Sequence, residues 1–585
     1  MRKAAVGRFG APQSNLHHAP ASCHTVLLPR AKGCSYRLMR LNYVFWICAP
    51  GLTAILAAAG SLGQDAGTAA APVGPALHFD SSQSQALLAV PFQSALANLL
   101  DINTITILYR SGPAATTGDD YDQTGLLASP PATFIRAGGG YRQPWTRDAS
   151  VNSWNAGSLL EPAVARNTLW AVVRRQDDGK LIVQQDNQWW DQAIWVVAAW
   201  NHFLVTGDRA FLANAFQTAT DTLARDRQLH FNAGQELFEG PAFLNDGIAG
   251  YPVPPADATE SRGSFVLDYP GSAQLMVLST NCIFVGAYRS AAAMALALGK
   301  PADAADFSAK ADALTQQIRH KFWIPASGRF GYLIHGTGRS AGVLDPSQEG
   351  AGLAFSILFD VATPRQAALI LSHVHTEQDG LPDVYPSFPR YSQSRPGRHN
   401  AVVWPPIDGF WASAAAKMQD GAAFSTTVEN LARLVNGSDG HFYEIYNGQT
   451  GLPDGGWQTG HVWDSQPDQT WSATAYLRMI FNGLFGLRFR PDGLVFQPFL
   501  PQRWGNVTLS GLPYRNAILT IRLEGAGDTI RSFRLDQIPQ REPLVPATLR
   551  GAHSILIELG APAGSAASLP RPPANHDNPH SSRLR

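Results

Sequence analysis

The sequence predicts a mainly α-helical protein, an (α/α)6 toroid of paired helices followed by a C-terminal antiparallel β-sandwich. From about Ser153 apolar residues recur with a helical period and the helices come in pairs, the first apolar nearly all round and the second amphipathic. A helix that is apolar on every side has to be buried, and its partner has to cover it, so the pairs read as two concentric layers. From Phe489 the pattern changes to short alternating runs, GLVFQPFL, NVTLSGL, AILTIRLEG, SFRLDQ and SILIELG, which read as strands.

Taken in order, residues 1–64 form a leader. Read from Met39, which is taken as the true start, Arg40 is a short positive region. An apolar stretch runs from Val44 to Ala59, and small residues precede Asp65, as in a secretory signal peptide. The run is short and interrupted by Pro50 and Gly51, which argues against a permanent membrane span. The expected location is therefore secreted or periplasmic. Cys23, Cys34 and Cys48 fall in this leader, which leaves Cys282 alone in the mature chain, without an internal disulfide or a Cys/His metal spacing. Residues 65–135 read as an N-terminal extension of strand-like and loop segments.

The barrel is expected over 136–486. WNAGSLLEPAVARNTLWAVVRR reads as one long helix. QAIWVVAAWNHFLV breaks at TGD before RAFLANAFQTATDTLARDRQ. The same grammar recurs in CIFVGAYRSAAAMALAL with ADAADFSAKADALTQQIRHKF, in GAGLAFSILFD with RQAALILSHVH, and in IDGFWASAAAKM with AAFSTTVENLARLV. The sandwich is expected over 487–560. The tail 561–585 has too little apolar content to pack.

Lys and Arg number 45 and Asp and Glu number 45, and no block of like charge occurs, so nothing points to a nucleic acid or an anionic membrane surface. The expected partner is neutral. The 15 Trp are unevenly placed and recur in QPWTRDASVNSW, DNQWWDQAIWVVAAW, AVVWPPIDGFW and GGWQTGHVWDSQPDQTW, segments that also hold Asp, Arg, His, Asn and Gln. Flat aromatic faces beside amide and carboxylate groups suit the C–H faces and hydroxyl edges of a sugar.

The long Gly- and aromatic-rich loops between helices are where a site belongs. HFYEIYNGQTGLPDGGWQTGHVWDSQPDQTW carries Glu444 and Trp457, and EGPAFLNDGIAGYP carries Glu239 and Asp246. YRQPWTRD places Tyr141, Trp145, Arg147 and Asp148 at the start of a helix, where Asp148 also reads as a helix cap. DNQWWDQ offers Trp189, Trp190 and Asp191 for stacking and hydrogen bonding, or as core aromatics behind a cap. His399, Asn400 and Trp404 stand before the helix that Pro405 and Pro406 begin. Asp246 can equally close its own turn, and Glu349 reads as a residue of a helix first turn.

The W-T-R-D stretch resembles the first-loop motif of six-hairpin glycosidases, whose Asp holds sugar hydroxyls. YEIYNGQTG followed by QTWSA is similar to the pattern of glycoside hydrolase family 63, of the mannosylglycerate hydrolase and bacterial α-glucosidase type. H-N-x-x-x-W-P resembles a pocket-lining stretch of the same glycosidases. RPDGLVFQPFLP and LRGAHSILIELG are similar to the β-domain that follows the barrel in disaccharide phosphorylases and rhamnosidases. The resemblance spans roughly 136–485 and implies Glu444 as general base, an Asp as general acid, and an α-linked glucoside or mannoside as substrate, with no cofactor or metal. Asp246 is the chosen acid and Glu239 the runner-up. Inversion needs the two carboxyls about 6.5–9.5 Å apart. A phosphorylase of the same fold and a non-catalytic sugar-binding protein are the alternatives. An epimerase would need a His pair, and the close pair His373 and His375 falls at the end of an outer helix.

The leader reading predicts processing near Gly63–Ala66 in the native host. Mass spectrometry of the mature amino terminus checks this, and an intact residue 1 contradicts it.

Overall fold

A computed structural model describes residues 74–107, 132–184, 188–252, 263–392 and 394–560. The leader 1–64, the tail 561–585 and part of the 65–135 extension lie outside the described residues.

Six buried helices form the centre: α2 (Thr146–Asn152, continued by a π-helical turn to Leu160), α4 (Gln192–Thr206), α6 (Leu278–Ala297), α8 (Gly350–Leu358), α10 (Pro405–Lys417) and α12 (Thr470–Arg478). Each packs against the next, and α12 packs back against α2, so the contacts close into a ring. In α4 and α6 the buried residues fall on every face, as their apolar sequences require. The outer partners are α3 (Pro162–Ala171), α5 (Arg209–His230), α7 (Pro301–Phe322), α9 (Pro364–His373) and α11 (Gly421–Asn436).

Local chemistry sets the hairpin corners. Gly207, at φ 75°, ends α4 in the left-handed conformation that glycine adopts without a Cβ penalty. Asp208 then caps α5 by accepting from the Phe211 amide at 2.9 Å, and Asp420 caps α11 by accepting from Ala423 at 3.0 Å. Thr363 and Gln366 form a reciprocal capping box on α9.

Three expectations need correction. The stretch 154–175 is not one helix: Glu161, at φ −132° and followed by Pro162, breaks it, and its end pairs as the strand Val173–Arg175. The extension, read as strand-like and loop segments, also holds a helix. Its helix α1 (Val90–Ala97) packs on α12 and α11 and so covers the sixth buried helix, while its strand β1 (Ala76–Phe79) joins the C-terminal sheet.

The third correction concerns that sheet region. It holds β2 (Leu487–Arg490), β3 (Gly493–Phe496), β4 (Val507–Tyr514), β5 (Asn516–Gly525), β6 (Thr529–Leu535), β7 (Ile538–Pro539), β8 (Leu544–Pro546) and β9 (Arg550–Gly560). The larger sheet runs β1-β4-β5-β9-β6-β7, and the smaller β2-β3-β8. The larger sheet is mixed, because β9 pairs parallel with β5 and antiparallel with β6. The chain passes through β6, β7 and β8 before β9 returns between β5 and β6. Phe496 and Phe533 meet across the two sheets with ring centroids 5.4 Å apart.

Glu349, fully buried, joins neighbouring central helices: preceding α8, its Oε2 accepts from the Ser279 amide of α6 at 3.0 Å. Burial pushes its carboxyl up to about 8, against the lowering effect of the Ser279 bond. The fold therefore favours the protonated form. That stabilisation is full below the ordinary Glu value of 4.5 and is lost as pH rises through about 8. Glu349→Gln, neutral at every pH, is expected to match the wild type in melting temperature at pH 4.5 and to exceed it by a few degrees at pH 8.5. Calorimetry at the two pH values reads the difference.

Candidate active site

Residues shortly before, or in the first turn of, four of the six central helices gather at one cavity of about 310 Å³. Trp145, Arg147 and Asp148 come from the start of α2, Gln188 and Asp191 from just before α4, Arg398, His399 and Trp404 from just before α10, and Gln469 and Trp471 from the start of α12. Asp246 enters on the loop ahead of α6, and Glu444 and Trp463 on the loop between α11 and α12. Helix N-termini carry positive potential, which favours the carboxylates collected there. Trp145 is held at φ 38°, a positive φ that a non-glycine residue keeps only under constraint from its surroundings.

Two carboxyl groups are each gripped by an arginine. Asp246 accepts at Oδ2 from Arg147 Nη2 and Gln188 Nε2, both at 3.0 Å, and its Oδ1 lies 3.2 Å from His399 Nε2. A third of its side chain, 32 %, stays open to the cavity. Its deep setting favours the neutral carboxyl, but the Arg147 charge and the His399 hydrogen bond prevail and hold it well below the usual carboxylate range. Arg147 also donates to the Phe243 carbonyl at 2.6 Å and lies 5.4 Å from the Trp471 ring centre.

Glu444, buried, accepts from Arg398 Nη2 at 2.9 Å. Here burial wins and raises the carboxyl above its ordinary value, although Arg398 opposes it; the nearby Asp246 charge adds to the rise. The loop is pinned by the Glu444 amide bonding to the Gln466 carbonyl at 2.8 Å, and by Tyr446 and Val403 exchanging backbone bonds at 2.9 Å. Consecutive residues Arg398 and His399 thus hold the two carboxyls from one segment of chain.

Asp148 is buried in the wall, and burial raises it to about 7, with Arg147 opposing and the Glu444 and Asp246 charges assisting. Near neutrality it can accept or donate to a hydroxyl. Tyr141 is held as a neutral phenol by burial and the Glu444 charge. Trp404 stacks on His399 with centroids 4.9 Å apart and donates to the Arg398 carbonyl at 3.2 Å. Among the described residues no group of three His, Cys, Asp or Glu is placed to hold a metal ion.

Of the residues named from sequence, Tyr141, Trp145, Arg147, Asp148, Asp191, Asp246, His399, Trp404 and Glu444 line the cavity. Trp189, Trp190, Asn400 and Trp457 are not among its lining residues. Trp189 donates to the Glu239 carbonyl at 2.9 Å and stacks on His230, with Trp190 buried edge-on against it. Asn400 accepts from Ser387 and the Phe388 amide, and Trp457 bonds through its backbone to Pro396 and Arg398. Glu239 accepts from Asn232 at 2.7 Å, also away from the lining. Sequence reasoning missed Gln188, Arg398, Gln458, Trp463, Gln469 and Trp471 as lining residues. Arg398 stood beside His399 in RPGRHN, and Gln469 and Trp471 stood in QTWSA.

Residues 259–472 match the Mannosylglycerate hydrolase MGH1-like glycoside hydrolase domain, and residues 487–538 match the Glycosyl hydrolase family 65, C-terminal domain. The chain therefore carries a glycoside hydrolase domain of the kind found in glycosidases, with a sheet domain after it. Glu444, Arg398, His399 and Trp471 fall inside the first match, whereas Arg147, Asp148 and Asp246 precede it. Among solved structures the chain is similar to a sialidase, at 13 % identity and a TM-score of 0.57, covering 77 % of this chain and 38 % of that one. It is also similar to a family 78 rhamnosidase of a Bacillus species, at 14 % identity and a TM-score of 0.50, covering 83 % and 44 %. A family 63 mannosylglycerate hydrolase from Thermus thermophilus, in complex with Tris, gives 14 % identity and a TM-score of 0.44, covering 59 % and 95 %. The chain spans less than half the length of the first two, and the likeness to them is one of fold. A search of curated proteins gives no match.

Gly247 is required by close approach. A Cβ there would lie 2.3 Å from His399 Cδ2 and 2.1 Å from Gln458 Oε1. Gly247→Ala is expected to cost about 1–3 kcal/mol of stability by overpacking and to push His399 off Asp246. Urea unfolding measures the first effect, and the crystal structure of the variant the second.

Proposed function

We propose that the chain is an exported glycoside hydrolase built on an (α/α)6 toroid, cleaving a neutral, α-linked glucoside or mannoside with inversion. Asp246 acts as general acid and Glu444 as general base. The observation that carries this reading is the placement of Asp246 and Glu444 on one cavity, each on its own arginine and each from a different loop. Inversion needs a carboxyl that protonates the leaving oxygen and another that activates water from the opposite face. Asp148, Tyr141 and Asp191 bind hydroxyls, and Trp145, Trp404, Trp463 and Trp471 supply aromatic faces.

The charge balance of the wall supports a neutral substrate. Both guanidiniums among the described lining residues are already engaged, Arg147 with Asp246 and the Phe243 carbonyl, Arg398 with Glu444 and the Gly455 carbonyl. Four carboxyl groups, Asp148, Asp191, Asp246 and Glu444, share the same space. A substrate carboxylate would meet repulsion there, with both of these cations already committed. Neutral nitrophenyl glycosides are expected to be hydrolysed, and uronides and sialosides to be refused; turnover of a uronide in preference to its neutral counterpart would contradict this.

Glu444→Gln and Asp246→Asn are each expected to lower kcat by about two to four orders of magnitude with KM little changed. The anomer first released, followed by proton NMR, is expected to be inverted. Asp148→Asn is expected to raise KM instead; if it abolishes turnover of poor leaving groups while Asp246→Asn does not, Asp148 is the acid. Sugar release that requires phosphate would favour the phosphorylase reading.

The base must be ionised to work, so the acid limb of kcat/KM follows the Glu444 carboxyl and lies above the ordinary Glu value. Arg398→Met removes the cation that favours the carboxylate, and is expected to move that limb to higher pH by about one unit or more. Activity at pH 5 then falls more than activity at pH 8.

A further inference from the structure

An acid needs a proton, yet Arg147, Gln188 and His399 all direct donors at the Asp246 carboxyl and favour its ionised form. Behind Asp246 lies a second carboxyl that the proposed hydrolysis does not use. His399 is buried, its Nε2 is 3.2 Å from Asp246 Oδ1, and its Nδ1 points at Asp383 Oδ2, 4.0 Å away. Among the described residues Nδ1 has no hydrogen-bond partner, and Asp383 is fully buried.

Asp383 is tied to the acid loop by a further link. The Asn245 amide, oriented with its nitrogen toward Asp383, donates to both carboxyl oxygens, to Oδ1 at 3.1 Å, and its oxygen meets the Tyr332 hydroxyl at 3.0 Å. Asn245 directly precedes Asp246, so the two ends of the Asp383–His399 pair grip adjacent residues of one loop.

We propose that Asp383 and His399 form a buried proton reservoir that recharges Asp246, with Asp383 as a positioning residue acting through the imidazole. The step conserves atoms and charge. The Asp383 Oδ2 proton passes to His399 Nδ1 as the Nε2 proton passes to Asp246 Oδ1. Asp383 becomes the carboxylate, the imidazole exchanges tautomer and stays neutral, and Asp246 becomes the acid that protonates the leaving oxygen. Reverse movement, with a proton drawn from solvent through the emptied cavity, restores the resting state. A shift of about 1 Å in ring or carboxyl brings Nδ1 and Oδ2 to hydrogen-bonding distance.

The surroundings agree with a proton resting on Asp383. Burial raises its carboxyl well above the ordinary value, and the neighbouring carboxyls Glu349, where ionised, and Asp246 add to this; the Asn245 bond and Arg147 oppose. Burial also lowers His399 and favours the neutral imidazole that a relay requires; Arg398 and Arg147 act in the same direction and Asp246 opposes.

This proposal rests on Asp246 as acid, and the test separates the two. Acid assistance matters for an alkyl glycoside and little for a 2,4-dinitrophenyl glycoside, whose leaving group departs unprotonated. Asp383→Asn and His399→Gln are each expected to lower kcat for the alkyl glycoside by about 100-fold, with KM nearly unchanged. The dinitrophenyl glycoside is expected to lose only a few-fold. The alkaline limb of kcat, measured across pH on the alkyl substrate, is expected to move down in both. Equal losses on the two substrates, or none, overturn the reservoir. If Asp383→Asn does not fold by circular dichroism, His399→Gln decides. Selective loss in Asp246→Asn without it in the other two variants overturns the reservoir alone, whereas full alkyl turnover by Asp246→Asn overturns the acid assignment and the reservoir together.

Discussion

The cavity depends on the matching of buried charge. Carboxyl groups held away from bulk water are costly unless a cation or several donors face them, and removing one partner of such a pair costs about 3–5 kcal/mol. Arg147 answers Asp246, and Arg398 answers Glu444. The rings around them keep the guanidiniums in place, Trp471 beside Arg147 and Trp404 and Trp463 beside Arg398, each within 5.5 Å of a ring centre. With the arginines fixed, the carboxyls cannot collapse on one another or turn to solvent, and the space between them stays open.

That matching depends in turn on the scaffold. The ring of central helices gives its members a buried body and leaves the N-terminal ends of α2, α4, α10 and α12 free to carry residues of the cavity wall. Pro405 and Pro406 start α10 directly behind Trp404, so Arg398, His399 and Trp404 sit on a short stretch with one end anchored in the core. The other anchor is the backbone pairing of Arg398 with Trp457 and of Val403 with Tyr446, which ties this stretch to the Glu444 loop. Trp457, read from sequence as a platform for sugar, serves the site through its backbone.

The two arginine pairs produce opposite results because the carboxyls differ in their partners. Burial penalises both, but Asp246 faces Arg147, His399 and Gln188, so attraction prevails; Glu444 has one arginine and the Asp246 charge against it, so desolvation prevails. Environment, more than residue type, separates the two groups.

The sequence by itself determined the alternation of buried and covering helices, the change to strands near residue 487, the helix start that carries Arg147 and Asp148, and the loops in which Tyr141, Asp246, His399 and Glu444 lie, because periodicity and turn chemistry are local properties. It did not determine which aromatics face the cavity: Trp189 and Trp404 both precede a buried helix, yet Trp189 turns to His230 and the Glu239 carbonyl while Trp404 turns to His399. It did not reveal that α1 covers α12, that β9 enters parallel to β5, or that Arg398 lies under Glu444, 46 residues away. Those were decided only by tertiary structure, since burial tells a residue that it must find a partner, and the folding of distant segments onto one another chooses which partner is there.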